Sequence, residues 1–132
     1  MSDNKLWNIE LRIPGEPEFL GVVRLASAGI SHRLGLDHEL AEDLKLVATE
    51  ACGHLLNLGA EEIMLSWQVE REQLSLRVWS ADGYDENNVD EEADQEWKEI
   101  GLLLITSLMD EVEELTSPLG LRLVKRTTIE HV

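Results

Sequence analysis

The sequence has one cysteine, few basic residues and no long hydrophobic run. A lone cysteine, Cys52, excludes an intramolecular disulfide. It lies inside a helical pattern and reads as a small core residue rather than a nucleophile. No apolar run approaches the roughly 20 residues that a membrane-spanning helix needs. The opening MSDNKLWNIE lacks the basic and apolar regions of a secretory signal, so a cytoplasmic protein without a membrane role is expected. Only 11 lysines and arginines stand against 27 acidic residues, for a net charge of -16. That balance argues against nucleic acid and anionic lipid as partners, because neutralising phosphates needs clustered basic side chains. It favours basic protein surfaces; solubility alone is the other reading. His32, His38, His54 and His131 show no zinc-like spacing with cysteine or carboxylates, and no metal site is predicted.

What is present is ordinary for a soluble globular chain. Hydrophobic residues make up 43% and charged residues 29% of 132 positions, enough for one domain with a real core over 1–132. Lys5 to Ile13 alternates apolar and polar side chains, the pattern of a half-buried strand, and Pro14-Gly15 ends it. Pro17 suits a helix start. Phe19, Val23, Ala26, Ile30 and Leu34 then form one apolar stripe, with Gly35 as the expected cap. Asp37 caps a second helix whose stripe is Leu40, Leu44, Val47, Ala51, His54 and Leu58. Glu50 and His54 lie four apart on it, hence side by side on the helix surface.

Ile63 to Trp79 reads as an antiparallel hairpin turning at Glu70-Arg71-Glu72-Gln73. Met64 and Trp79 fall on its polar face, where a partner, a dimer contact or a covering loop would account for them. From Asp85 to Glu96 there are seven acidic residues and no basic one. That run is expected to be a loop or a frayed helical segment. Trp97 to Met109 is apolar on almost all sides and reads as a buried helix, with a strand as the alternative. Two strands, Val112 to Thr116 and Leu121 to Ile129, close the chain around Ser117-Pro118-Leu119-Gly120. The order predicts an α+β, two-layer sandwich with a mixed, mostly antiparallel sheet and helices on one face.

This order, together with EPEFLGVVRLASAGI, EDLKLVATEAC and SLMDEVEEL, resembles the anti-sigma factor serine kinases of bacteria. These belong to the superfamily that includes gyrase and histidine-kinase ATPase domains, and the likeness runs from about Ile9 to Lys125. It implies a domain that binds Mg-ATP between its helices, dimerises, holds a sigma factor and phosphorylates a serine on an anti-anti-sigma protein.

The chemistry of that family needs four features. The first is E-x-x-x-N on the central helix, a general base and an oxygen ligand for magnesium. Glu50 and His54 stand there, so the base is kept and the ligand is not, because Mg²⁺ prefers oxygen donors. Asn57 lies nearby but is rotated from the needed direction. The second is an Asp-x-Gly box that reads adenine; direct register puts Ser80 at the Asp and Asp82 at the Gly. A shifted register, Asp82 with Gly83, has the wrong spacing. The third is a glycine-rich phosphate loop, whose matching run Lys98-Glu99-Ile100-Gly101 keeps only Gly101. The fourth is the lid over the nucleotide, replaced by the short acidic run at about 85–96. Carboxylates there would oppose a triphosphate.

Because all the departures fall on nucleotide contacts, the expectation is a relative that acts by protein binding, with ATP binding and kinase activity lost or weak and no cofactor. His54 would fill the vacated space as a core residue hydrogen-bonded to Glu50. The alternative is an active serine kinase using Mg-ATP, with Glu50 as base. A third reading is a domain that senses another ligand in the altered pocket. The implied partners are a sigma factor or an anti-anti-sigma protein, with a homodimer as the assembly. The matching partner-surface positions are Glu18, Arg24 and Asp37, which solvated charge would explain equally.

Overall fold

The computed structural model describes residues 5–81 and 89–130. Strand β1 spans Lys5–Pro14, followed by a 3₁₀ turn Pro17–Phe19, helix α1 at Leu20–Arg33 and helix α2 at His38–Asn57. Strands β2 (Glu62–Glu70) and β3 (Gln73–Ser80) come next. Helix α3 (Glu91–Glu96), a π-helical turn (Trp97–Gly101) and helix α4 (Leu102–Leu108) run on without a break. Strands β4 (Glu111–Thr116) and β5 (Leu119–Arg126) end the fold.

The caps fall where the side-chain chemistry puts them. Gly35 adopts φ 69°, a conformation that costs a Cβ-bearing residue more. The Leu36 N–H then reaches Ser31 O at 3.1 Å and the Gly35 N–H reaches His32 O at 3.1 Å, closing α1 by the Schellman pattern. The Asp37 side chain accepts from Leu40 N at 2.8 Å and starts α2.

The five strands form one sheet in the order β1-β2-β3-β5-β4. Every pairing is antiparallel, so the mixed sheet expected from the sequence is corrected to a wholly antiparallel one. Ile63, Leu65, Trp67 and Val69 of β2 and Leu74, Leu76 and Val78 of β3 face the helices and are buried. They meet Val47, Ala51 and Leu55 of α2, the helix that carries most of the helical layer's buried surface. Cys52 is part of that core, and burial pushes its thiol up to about 12, so it is inert at neutral pH.

The acidic run takes the helical of its two readings, its residues 85–88 lying outside the described residues, and two further local expectations are revised. The acidic run is helical over Glu91–Glu96 and begins at Asp90, whose side chain caps Ala93 N at 3.0 Å; carboxylates suit a helix N-terminus. The segment after it is helical but not buried all round: Trp97, Gly101 and Ile105 face inward, whereas Ile100 is 61% and Leu103 67% exposed. The final strand stops at Arg126, and Ile129 is nevertheless buried, its N–H bonded to Arg71 O at 2.7 Å.

Candidate functional site

The site forms where α2 meets the α3–α4 run. Asp90 N bonds to Asn57 O at 2.7 Å, which ties the start of the acidic helix to the end of α2. From there the helix lays Asp94, Trp97 and Gly101 against α2. The Trp97 indole stacks on the His54 imidazole, with ring centroids 3.6 Å apart and planes 12° from parallel. Both rings are buried. Gly101 makes this possible: a Cβ there would come within 2.4 Å of Trp97 Cδ1. Gly101 therefore seats a tryptophan. The intervening π turn, an uncommon geometry that recurs at functional places, brings both residues to the inner side.

Asp94 Oδ1 lies 3.6 Å from His54 Nδ1, and Lys98 Nζ lies 3.3 Å from Asp94 Oδ2. The first contact is not an ion pair at neutral pH. Burial lowers the His54 pKa to about 4; Asp94 pulls it up without overcoming desolvation, and Lys98 adds to the lowering. The geometry agrees, because His54 Nδ1, Asp94 Oδ1 and Trp97 Nε1 are all buried without a hydrogen-bond partner among the described residues. The hydrogen bond from His54 to Glu50 expected from the sequence is absent; the imidazole turns to Trp97 and Asp94 instead. Glu50 makes no hydrogen bond among the described residues. It lines an open groove of about 260 Å³ with Asn57, Glu96, Ile100 and Leu104.

The remaining sequence-singled residues are scattered. Ser80 ends β3 and is 2% exposed. Asp82 lies outside the described residues. Glu18 is exposed in the 3₁₀ turn before α1. Arg24 is exposed beside a groove between α1 and α2 shared with Glu42, Asp43, Leu46 and Thr49. Asp37 is occupied by its capping bond. Glu18 and Asp37 sit at opposite ends of the 14-residue α1, about 20 Å apart along its axis, so the three residues do not form one cluster. Sequence reasoning missed Asp94, Trp97 and Lys98. Their signal is the i, i+4 spacing of Asp94/Lys98 and Trp97/Gly101, which spans the boundary between the acidic run and the apolar run.

Residues 13–126 match the family described as histidine kinase-like ATPase domain. The chain belongs to that family. The serine-protein kinase RsbW of Halalkalibacterium halodurans is 34% identical over 119 residues, covering 80% of this chain and 74% of the relative. The same-named protein of Bacillus pumilus is 31% identical over 126 residues, covering 80% and 76%. That of Oceanobacillus iheyensis is 27% identical over 121 residues, covering 80% and 77%. The resemblance to the anti-sigma factor serine kinases therefore holds across the fold. Within this histidine kinase-like ATPase domain, α2 carries Glu50 on the wall of an open groove and His54 in a buried stack with Trp97.

The stack has a consequence for acid stability. His54 titrates near its ordinary 6.5 when unfolded and at about 4 when folded. Between those values the unfolded chain holds more protons, so the contribution is whole above pH 6.5 and is lost as pH falls toward 4. We expect His54→Gln to be less sensitive to acid than the natural protein by about 2 kcal/mol over that window, allowing for partial solvent screening. Urea unfolding at pH 7.5, 6, 5 and 4.2 measures it. Equal pH slopes for the two proteins would refute the assignment.

Proposed function

We propose that this protein acts by protein–protein binding, as an anti-sigma factor holding a sigma factor or an anti-anti-sigma protein, with ATP binding and kinase chemistry lost or strongly weakened. The observation that carries the reading is the Trp97–His54 stack, formed at the position where the resemblance would put the family's metal ligand. The residues do not fit a magnesium nucleotide. His54 offers a buried nitrogen where Mg²⁺ takes oxygen. The Trp97 indole packs against Gly101, so the glycine's missing side chain makes room for a ring. Glu96 and Glu99 add negative charge on the same helix.

A binding role has its own support. Among the described residues the exposed large hydrophobics are Val22, Leu25, Leu46, Ile100 and Leu103, all on helices. Leu46 lies in a groove with Arg24, Glu42, Asp43 and Lys45, and Ile100 lines another with Glu50 and Glu96; apolar side chains among charged ones suit docking of a protein partner. The resemblance also implies a homodimer in the cytoplasm, and sedimentation at twice the 14.9 kDa chain mass would support it.

Calorimetry with Mg-ATP should give no saturable heat into the millimolar range. Capture of a sigma factor or anti-anti-sigma protein should be equal with and without nucleotide. Leu25→Glu should weaken capture at least tenfold while changing stability by less than about 0.5 kcal/mol, as surface changes do. Micromolar Mg-ATP affinity, or capture that requires ATP, would favour a serine kinase with Glu50 as base. Asp37 is a poor probe of the same surface, because its loss also removes a helix cap worth about 1 kcal/mol.

A further inference from the structure

The helices cover only one face of the sheet. On the other face the strand register lines up Glu10, Ser66, Arg77, Arg122 and Glu113 in one row across all five strands. Arg77 and Arg122 are direct cross-strand partners. Like charges directly opposite are destabilising, with Cβ atoms about 4.5–5.5 Å apart. This chain has only 11 basic residues and places two of them so. Neither guanidinium makes an ion pair among the described residues, although Glu113 is the strand neighbour of Arg122. Arg77 lies over the Trp79 ring at 5.0 Å, which holds its guanidinium in place.

Between the two arginines runs a trough of about 290 Å³ floored by Ser66 and Ser75 and walled by Gln68 and Leu115. Both serines are 7% exposed. The Ser66 hydroxyl donates to Asn8 Oδ1 at 2.8 Å. The Ser75 hydroxyl and the Gln68 amide, cross-strand partners themselves, make no hydrogen bond among the described residues. The trough thus presents two guanidinium forks, a hydroxyl and an amide as donors, and a single carboxylate at its rim.

We propose that this trough binds a small tetrahedral dianion of the phosphate type. Two adjacent guanidiniums above a hydroxyl supply donors in three directions, which matches a tetrahedral oxyanion better than a planar carboxylate. Binding would also relieve the repulsion between Arg77 and Arg122. The trough lies on the sheet face opposite α2, away from the Trp97–His54 stack that carries the proposed function.

The test is titration of the natural protein with inorganic phosphate at constant ionic strength, followed by calorimetry and by the Nε–H signals of arginine in NMR. Saturable millimolar or tighter binding that shifts the Arg77 and Arg122 signals is the expected result. Arg122→Gln should weaken binding at least fivefold, and Glu113→Gln should tighten it at least twofold. Urea midpoints of both variants establish that they fold. No saturation by about 20 mM, affinity unchanged in Arg122→Gln, or equal affinity for succinate at the same ionic strength would each overturn the proposal.

Discussion

Replacing Trp97 by alanine is expected to cost about 3–4 kcal/mol and to free the acidic helix from α2. The indole is 5% exposed, and truncating a buried tryptophan removes both transfer energy and packing. The lost contact is the one that closes the site. Three buried polar atoms there already lack partners, each an energetic liability, so the α3 contact is the layer's weakest seam once the ring is gone. Amides of residues 91–101 should exchange far faster than those of α2. His54, re-exposed to water, should titrate back toward 6.5, because desolvation is the largest cause of its low value. Hydrogen exchange and imidazole NMR read the two effects. A variant that loses less than about 1 kcal/mol, or whose His54 still titrates near 4, would remove the stack as the site's closing element.

Gly120→Ala should cost about 3 kcal/mol and lower the melting temperature by roughly 10 °C. A Cβ at that position would sit 2.2 Å from Val78 O and 2.8 Å from both Trp79 Cα and Trp79 Cβ. The first two of those atoms are main chain, on β3, which is paired to β5 through Val78↔Leu121 and Trp79↔Gly120. No rotamer change relieves such a clash, so the strands must part. Because β5 joins β4 to the rest of the sheet, the loss should be global and appear in thermal unfolding by circular dichroism. A melting temperature within 2 °C of the natural protein would contradict the close approach. By contrast Gly21, Gly29 and Gly53 meet nothing within 4 Å of an added Cβ. Alanine at these helical positions should be neutral or stabilising by up to about 1 kcal/mol.

Much of the fold was legible because its elements carry local signals. Alternation in β1 to β3 and the stripe of α2 repeat the burial pattern found. Pro17, Gly35, Asp37 and Gly59 mark element ends through backbone chemistry that needs no neighbours. The segment from Asp85 to Met109 was less legible. Its charge and hydrophobicity divide at Trp97, whereas the described helix crosses that point. Asp90 caps the acidic half, and a π turn carries it into the apolar half. Ile100 and Leu103 fit a core pattern by hydrophobicity but are exposed, because the helix turns Trp97, Gly101 and Ile105 inward and leaves its other side to solvent.

By itself the sequence determined the element order, the core-facing residues of the hairpin and α2, and the placing of Glu50 and His54 four apart on one helix. Those follow from side-chain period and chemistry, which are properties of neighbours along the chain. Only the tertiary structure decided that His54 turns from Glu50 to Trp97 and Asp94, that Gly101 serves an indole, and that Arg77 and Arg122 stand side by side. Each of these depends on residues brought together across long stretches of chain. Burial, ring stacking and strand register then act over a few ångströms on groups that no local pattern could have paired.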